Sequence, residues 1–140
     1  MSSLNVPKVT PQAHVLLVCH NRSGLAARKA VLEELGCSIT PAASAEEAEA
    51  LYAKSAFDLV VTDYRMGRMN GVELIRRIRG IDNGAKIILL SGYVEALGLT
   101  ASTTNADVVL SKSANEVSHL VRAVLRLLRQ KPARKPAASV

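Results

Sequence analysis

Five short apolar runs punctuate the chain, at residues 14–19, 37–40, 58–62, 86–90 and 107–111, each bounded by polar or turn residues. Runs this short without strict alternation read as strands buried on both faces. Between them the spacing turns helical: Leu25, Leu32 and Leu35 after the first run, Ala48 and Leu51 after the second, Val72, Ile75 and Ile78 after the third. Alternating strand and helix predicts βα units and a five-stranded parallel sheet, covered by helices on both faces through right-handed crossovers. Ser44 with Glu47, and Ser113 with Glu116, fit the reciprocal capping box that opens a helix; Gly36 and Gly80 stand where a helix end wants a left-handed residue. The stretch 93–105 is the exception, because Gly98, Thr100, Thr103 and Thr104 lower helix propensity. A short, distorted or mobile fourth helix is expected there. The last helix carries Val117, Leu120, Val121, Val124 and Leu128 as a core stripe, with Leu125 and Leu127 off it and Arg122, Arg126 and Arg129 interleaved.

Composition narrows the picture. A chain of 140 residues, 49% apolar and 21% charged, suits one globular domain with a real core. We place that domain at residues 13–130, between a flexible segment (1–12) and a disordered basic tail (131–140). The purely aliphatic runs are four residues long, far short of a bilayer span, and residues 1–13 lack the apolar stretch of a secretory signal. A cytoplasmic location is expected. Cys19 and Cys37 make neither a disulfide framework nor a zinc pattern, and fall at opposite ends of the predicted sheet. Residues 117–140 hold six basic and no acidic residues, so they carry the whole formal charge of +6 and leave the body neutral. Arg is favoured at interfaces and exposed Leu is costly. The face formed by Arg122, Leu125 and Arg126 with the fifth strand is therefore the candidate surface for self-association or a partner. Aromatic residues make up 3% of the chain, which argues against stacking on single-stranded nucleic acid.

In a doubly wound sheet the reactive surface lies outside the carboxyl ends of the strands, where strand order reverses. Those ends read Cys19-His20-Asn21, Asp63-Tyr64-Arg65, Ser91-Gly92 and Lys112-Ser113. A carboxylate, a hydroxyl and an ammonium converge. Asp63 is suited to accept a phosphoryl group, Ser91 to hydrogen-bond one of its oxygens and Lys112 to neutralise its charge.

On these residues the chain resembles the receiver domains of two-component response regulators. The matching stretches are 14–18 as first strand, 58–71 around Asp63, 87–92 ending in Ser91-Gly92, and 106–112 ending in Lys112. The resemblance implies an α/β, (βα)5 doubly wound sandwich of three layers with flavodoxin-like strand order 2-1-3-4-5. It also implies that Asp63 is the phosphoacceptor, Ser91 the switch hydroxyl and Lys112 the phosphoryl-contacting lysine, with the backbone carbonyl of Arg65 at a metal-ligand position.

The chain departs from that pattern where the family normally ends its first strand in two acidic residues that hold Mg2+. Here those positions are Cys19 and His20. A thiol and an imidazole are poor donors for a hard cation, so Mg2+ on Asp63 and Arg65 is expected to be weak or absent. A soft-metal site from Cys19, His20 and Asp63 is disfavoured, because adjacent strand residues point to opposite faces. Gly67 and Ser113 replace prolines, and Val109 replaces the aromatic residue whose rotation usually reports phosphorylation. A signalling change is then expected through the fourth helix.

The function expected is that of a single-domain receiver in a phosphorelay, a signalling module and not an enzyme. A histidine kinase or phosphotransfer protein would donate to Asp63, and a downstream protein effector would read the result. A homodimer through the fourth helix, fifth strand and fifth helix is a further expectation. The alternative is a degenerate receiver that binds partners without phosphorylation. Nucleic-acid association rests on the basic C-terminus alone, with no reading motif behind it.

Overall fold

The computed structural model describes residues 13–129; the N-terminal segment and basic tail posited above lie outside the described residues. The elements are β1 (His14–Val18), α1 (Arg22–Glu34), β2 (Ser38–Ala42), α2 (Ala45–Lys54), β3 (Leu59–Asp63), α3 (Gly71–Ile81), β4 (Ile87–Ser91), α4 (Val94–Leu97), α5 (Ala101–Thr104), β5 (Val108–Ser111) and α6 (Glu116–Arg129). All strand pairings are parallel, in the order β2-β1-β3-β4-β5.

The three central strands are mostly apolar, and buried save for His14, because both of their faces are covered. Leu16, Val18, Val60, Ile87 and Leu89 point to one side and pack with Tyr52, Leu74, Ile75 and Ile78 of α2 and α3. Val15, Leu17, Val61, Ile88 and Leu90 point to the other and meet Leu32 of α1 and Leu120, Val124 and Leu127 of α6. Edge strand β2 carries Pro41, which an edge position tolerates because a proline cannot donate to a ladder. No helix among the described residues is long and apolar enough to cross a membrane.

Local signals hold in part. Ser44 caps α2 by accepting from the Glu47 N–H at 3.1 Å, while the Glu47 carboxylate reaches back to the Ala43 N–H. Gly36 is left-handed at φ +97°, but Gly80 is not: α3 runs through it to Ile81, and Asp82 closes the helix. The expected capping box at α6 does not form, since Ser113 Oγ accepts from the Asn115 N–H and the Glu116 carboxylate points elsewhere. The α6 stripe is also rephased. Val117 is 55% exposed, whereas Leu127, expected off the stripe, is buried with Ala123. The fourth helix is two single turns, broken at Gly98, whose φ of +63° ends α4. Thr100 and Thr103 then cap α5 reciprocally. Cys19 and Cys37 are free, buried and at opposite ends of the sheet.

Candidate functional site

Strand order reverses between β1 and β3, and the crevice opens at their carboxyl ends. Asp63 is the last residue of β3 and only 2% exposed. His20, Asn21, Asp63, Arg65, Ser91, Gly92, Tyr93 and Lys112 line the cavity there. Lys112 Nζ lies 2.9 Å from Asp63 Oδ1 in an ion pair. Ser91, also 2% exposed, ends β4 beside it; its Oγ accepts from the Tyr93 N–H at 2.9 Å, which ties the hydroxyl to the start of α4. Arg65 is exposed, with its guanidinium 4.8 Å from the centre of the Tyr93 ring.

The altered pair splits as strand alternation requires. His20 is exposed on the cavity rim, while Cys19 is 2% exposed and turned beneath it. Burial pushes the Cys19 thiol up, and the neighbouring Asp63 carboxylate pushes the same way. The thiol therefore keeps its proton at neutral pH and is not a thiolate donor. Among the described residues no three His, Cys, Asp or Glu side chains gather as a metal cluster, so the Cys19-His20-Asp63 arrangement does not form. Asp63 is the one carboxylate among the residues that line the cavity.

A residue that the sequence reading passed over meets Asp63 from beneath this cavity, lining instead a neighbouring one with Gly24 and Glu116. Arg28, on α1, is 8% exposed. Its Nη1 lies 3.2 Å from Asp63 Oδ1 and 3.2 Å from Cys19 Sγ, and its Nε donates to Glu116 Oε2 at 2.8 Å. Burial disfavours the guanidinium charge, but the Glu116 hydrogen bond and the charges of Asp63 and Glu116 outweigh it, leaving Arg28 above its ordinary range. Helical side chains lean toward the N-terminus of their helix, which here abuts the end of β1. The arginine thus climbs one turn, past Gly24, to reach Asp63. A Cβ on Gly24 would stand 3.3 Å from Cys19 Sγ and 3.4 Å from Arg28 Nη1, tight on both counts. Arg28 also reassigns Glu116, read from sequence as a cap. One signal was available: Leu25, Arg28, Leu32 and Leu35 follow the spacing of a buried helix stripe, with a cation inside it.

The interface candidates fall on the β5–α6 edge. Arg122 and Arg126 are exposed and line a shallow groove with Val108, Leu110, His119 and Ala123. Leu125 is half-buried against the core on the α6 side, and Val109 half-buried against the other face.

Comparison with known proteins places these features. The response regulator receiver domain family matches residues 15–125. A response regulator receiver protein of Anaeromyxobacter sp. is 34% identical over 87 residues, which is 62% of this chain and 37% of that protein. The gliding motility regulatory protein of Myxococcus xanthus is 33% identical over 119 residues, 81% of this chain and 15% of that protein. The chain thus spans well under half the length of these curated relatives. Among solved structures, the response regulator TrrA of Thermotoga maritima, in complex with Mg2+-BeF, superposes with a TM-score of 0.76 at 31% identity, covering 83% of this chain and 99% of that one. A receiver domain protein of Methanospirillum hungatei gives a TM-score of 0.77 at 25% identity over 86% of this chain and 95% of that one. With the order β2-β1-β3-β4-β5, a buried aspartate at the switch point and a family match across the whole sheet, the chain belongs to the response regulator receiver domain family.

Proposed function

We propose that this receiver works in a phosphorelay: it takes a phosphoryl group on Asp63 and signals through protein–protein contacts. The observation that carries the reading is the convergence on one cavity of the buried Asp63 carboxylate, the Lys112 ammonium 2.9 Å away and the Ser91 hydroxyl. The carboxylate supplies the nucleophile, and the two neighbours meet the charge that arrives with the phosphoryl group. A histidine kinase or phosphotransfer protein is the donor in this reading and a downstream protein effector the receiver of the signal. The chain acts as a signalling module rather than an enzyme.

Mg2+ binds weakly at most in this scheme. Asp63 and the Arg65 carbonyl leave the rest of the near-octahedral shell to water with one carboxylate to hold it, and Asp63 Oδ1 already faces two cations. The output route begins at Ser91. A hydroxyl that turns toward a phosphoryl oxygen gives up the Tyr93 N–H, and α4 with its break at Gly98 is the segment free to respond. The face of α4, α5, β5 and α6 is the proposed surface for self-association or an effector.

Intact-mass measurement after incubation with acetyl phosphate tests the reading. Wild type is expected to gain a hydroxylamine-labile phosphoryl group, and Asp63→Asn to gain none. A wild-type chain that never gains mass would leave the degenerate binding module as the better description.

A further inference from the structure

We propose that Arg28 is the resident cation of this phosphoacceptor site, contacting the incoming phosphoryl group in the role a divalent ion would otherwise fill, so that phosphorylation of Asp63 needs no added metal. The inference rests on the reading of Asp63 as phosphoacceptor and adds the identity of its counter-charge.

The geometry points this way on three counts. First, the guanidinium lies where the metal-holding acidic pair is missing: Nη1 touches both Asp63 Oδ1 and the sulfur of Cys19, the residue standing at one of the lost acidic positions. Second, the position is held from behind. Glu116 fixes Nε at 2.8 Å, and the arginine side chain is about nine-tenths buried, so the cation is seated rather than a passing surface charge. Third, Gly24 keeps the arginine's path uncrowded: a Cβ there would stand 3.3 Å from Cys19 Sγ and 3.4 Å from Nη1. A cation near a helix N-terminus is opposed by the helix dipole, so the Asp63 and Glu116 carboxylates must outweigh that cost.

The chemistry balances without a metal. Both ion pairs make their short contact at Oδ1, so Oδ2 is the nucleophile in this scheme. Oδ2 forms the new bond to phosphorus; the bond from phosphorus to the donor's oxygen or nitrogen breaks, and its electron pair leaves with the donor. Asp63 then carries a phosphoryl group of about two negative charges in place of one. Lys112 and Arg28 set two positive charges against it, with Glu116 offsetting part of the arginine's. A planar guanidinium with spare N–H groups suits phosphoryl oxygens better than an ammonium does. Glu116 is a positioning residue: it touches Arg28 and not the reacting atoms.

Phosphorylation by acetyl phosphate in excess EDTA, followed by intact mass on the full chain, tests the proposal. Wild type is expected to label at nearly the same rate with EDTA as with Mg2+. Arg28→Ala is expected to lose about a hundredfold in rate in EDTA, with partial recovery when methylguanidine is added. Arg28→Lys, which keeps the charge but not the fork, should fall between them, and it covers the case in which the alanine variant fails to fold by thermal melt. Wild-type labelling that vanishes in EDTA and returns with Mg2+ overturns the proposal while leaving Asp63 as phosphoacceptor. Folded Arg28→Lys and Arg28→Ala that label like wild type in EDTA overturn it equally. No labelling of wild type under any condition overturns both.

Discussion

Burial pushes the Cys37 thiol up to about 11, with the Asp58 charge adding to it, against an ordinary value of 9.0. Between pH 9 and 11 the folded chain holds a proton that the unfolded chain gives up, so this group's contribution to stability is complete below pH 9 and falls as pH rises through 11. Urea midpoints of wild type should therefore drop more over that window than those of Cys37→Ala, where this titration is gone. Parallel curves for the two proteins would remove Cys37 from the alkaline response. At this scale the sequence was legible for Asp63, Ser91 and Lys112, because each ends a strand and strand ends meet by topology. Arg28 was not, because a helical cation normally faces water, and its partners Asp63 and Glu116 stand 35 and 88 residues away. Only its place between Leu25 and Leu32 marks it as inward.

Helices and strands show the same division between local and distant causes. The breaks at Gly36 and Gly98 and the cap at Ser44 depend on neighbours in the chain and were readable. The phase of α6 depends on which side of the sheet it packs against, and Leu127 entered the core instead of Val117 because β5 and α1 set that rotation. Arg79 illustrates a contact with no local sign. From α3 it donates to the carbonyls of Asn83, Ala85 and Asn105 and pairs with Asp107 at 3.2 Å, while Asp107 also accepts from the Ile87 N–H. One side chain thus ties the entry to β4 to the entry to β5. Arg79→Ala should destabilise the fold by about 2 kcal/mol, the scale of losing hydrogen bonds from a charged donor. Hydrogen exchange should quicken at Ala106 and Val108 and stay unchanged in α1; uniform quickening would mean that Arg79 has no local role.

For the whole molecule, the charge sits unevenly: six positive charges in residues 117–140 against a neutral remainder. Two of the three arginines that α6 carries, Arg122 and Arg126, border the groove along β5. A homodimer through this face should dissociate when both are made glutamate, and sedimentation velocity would register the shift to monomer. Unchanged sedimentation of a dimeric double variant would move the self-contact elsewhere. Fold class was legible because it follows from the alternation of apolar runs and helical spacing, and strand order because the receiver resemblance implied it. The electrostatic balance of the site was not, since it joins α1, β3 and α6 across the sheet.

The gap at Gly24 has a consequence for ancestry. Cys19, Gly24, Arg28 and Glu116 form one physical unit: the thiol leaves an acid's position free of charge, the glycine opens the passage, the arginine enters and the glutamate holds it. Descendants and cousins should therefore inherit the four residues together or lose them together, which makes this quartet a signature by which receivers of the same construction can be picked out from sequence.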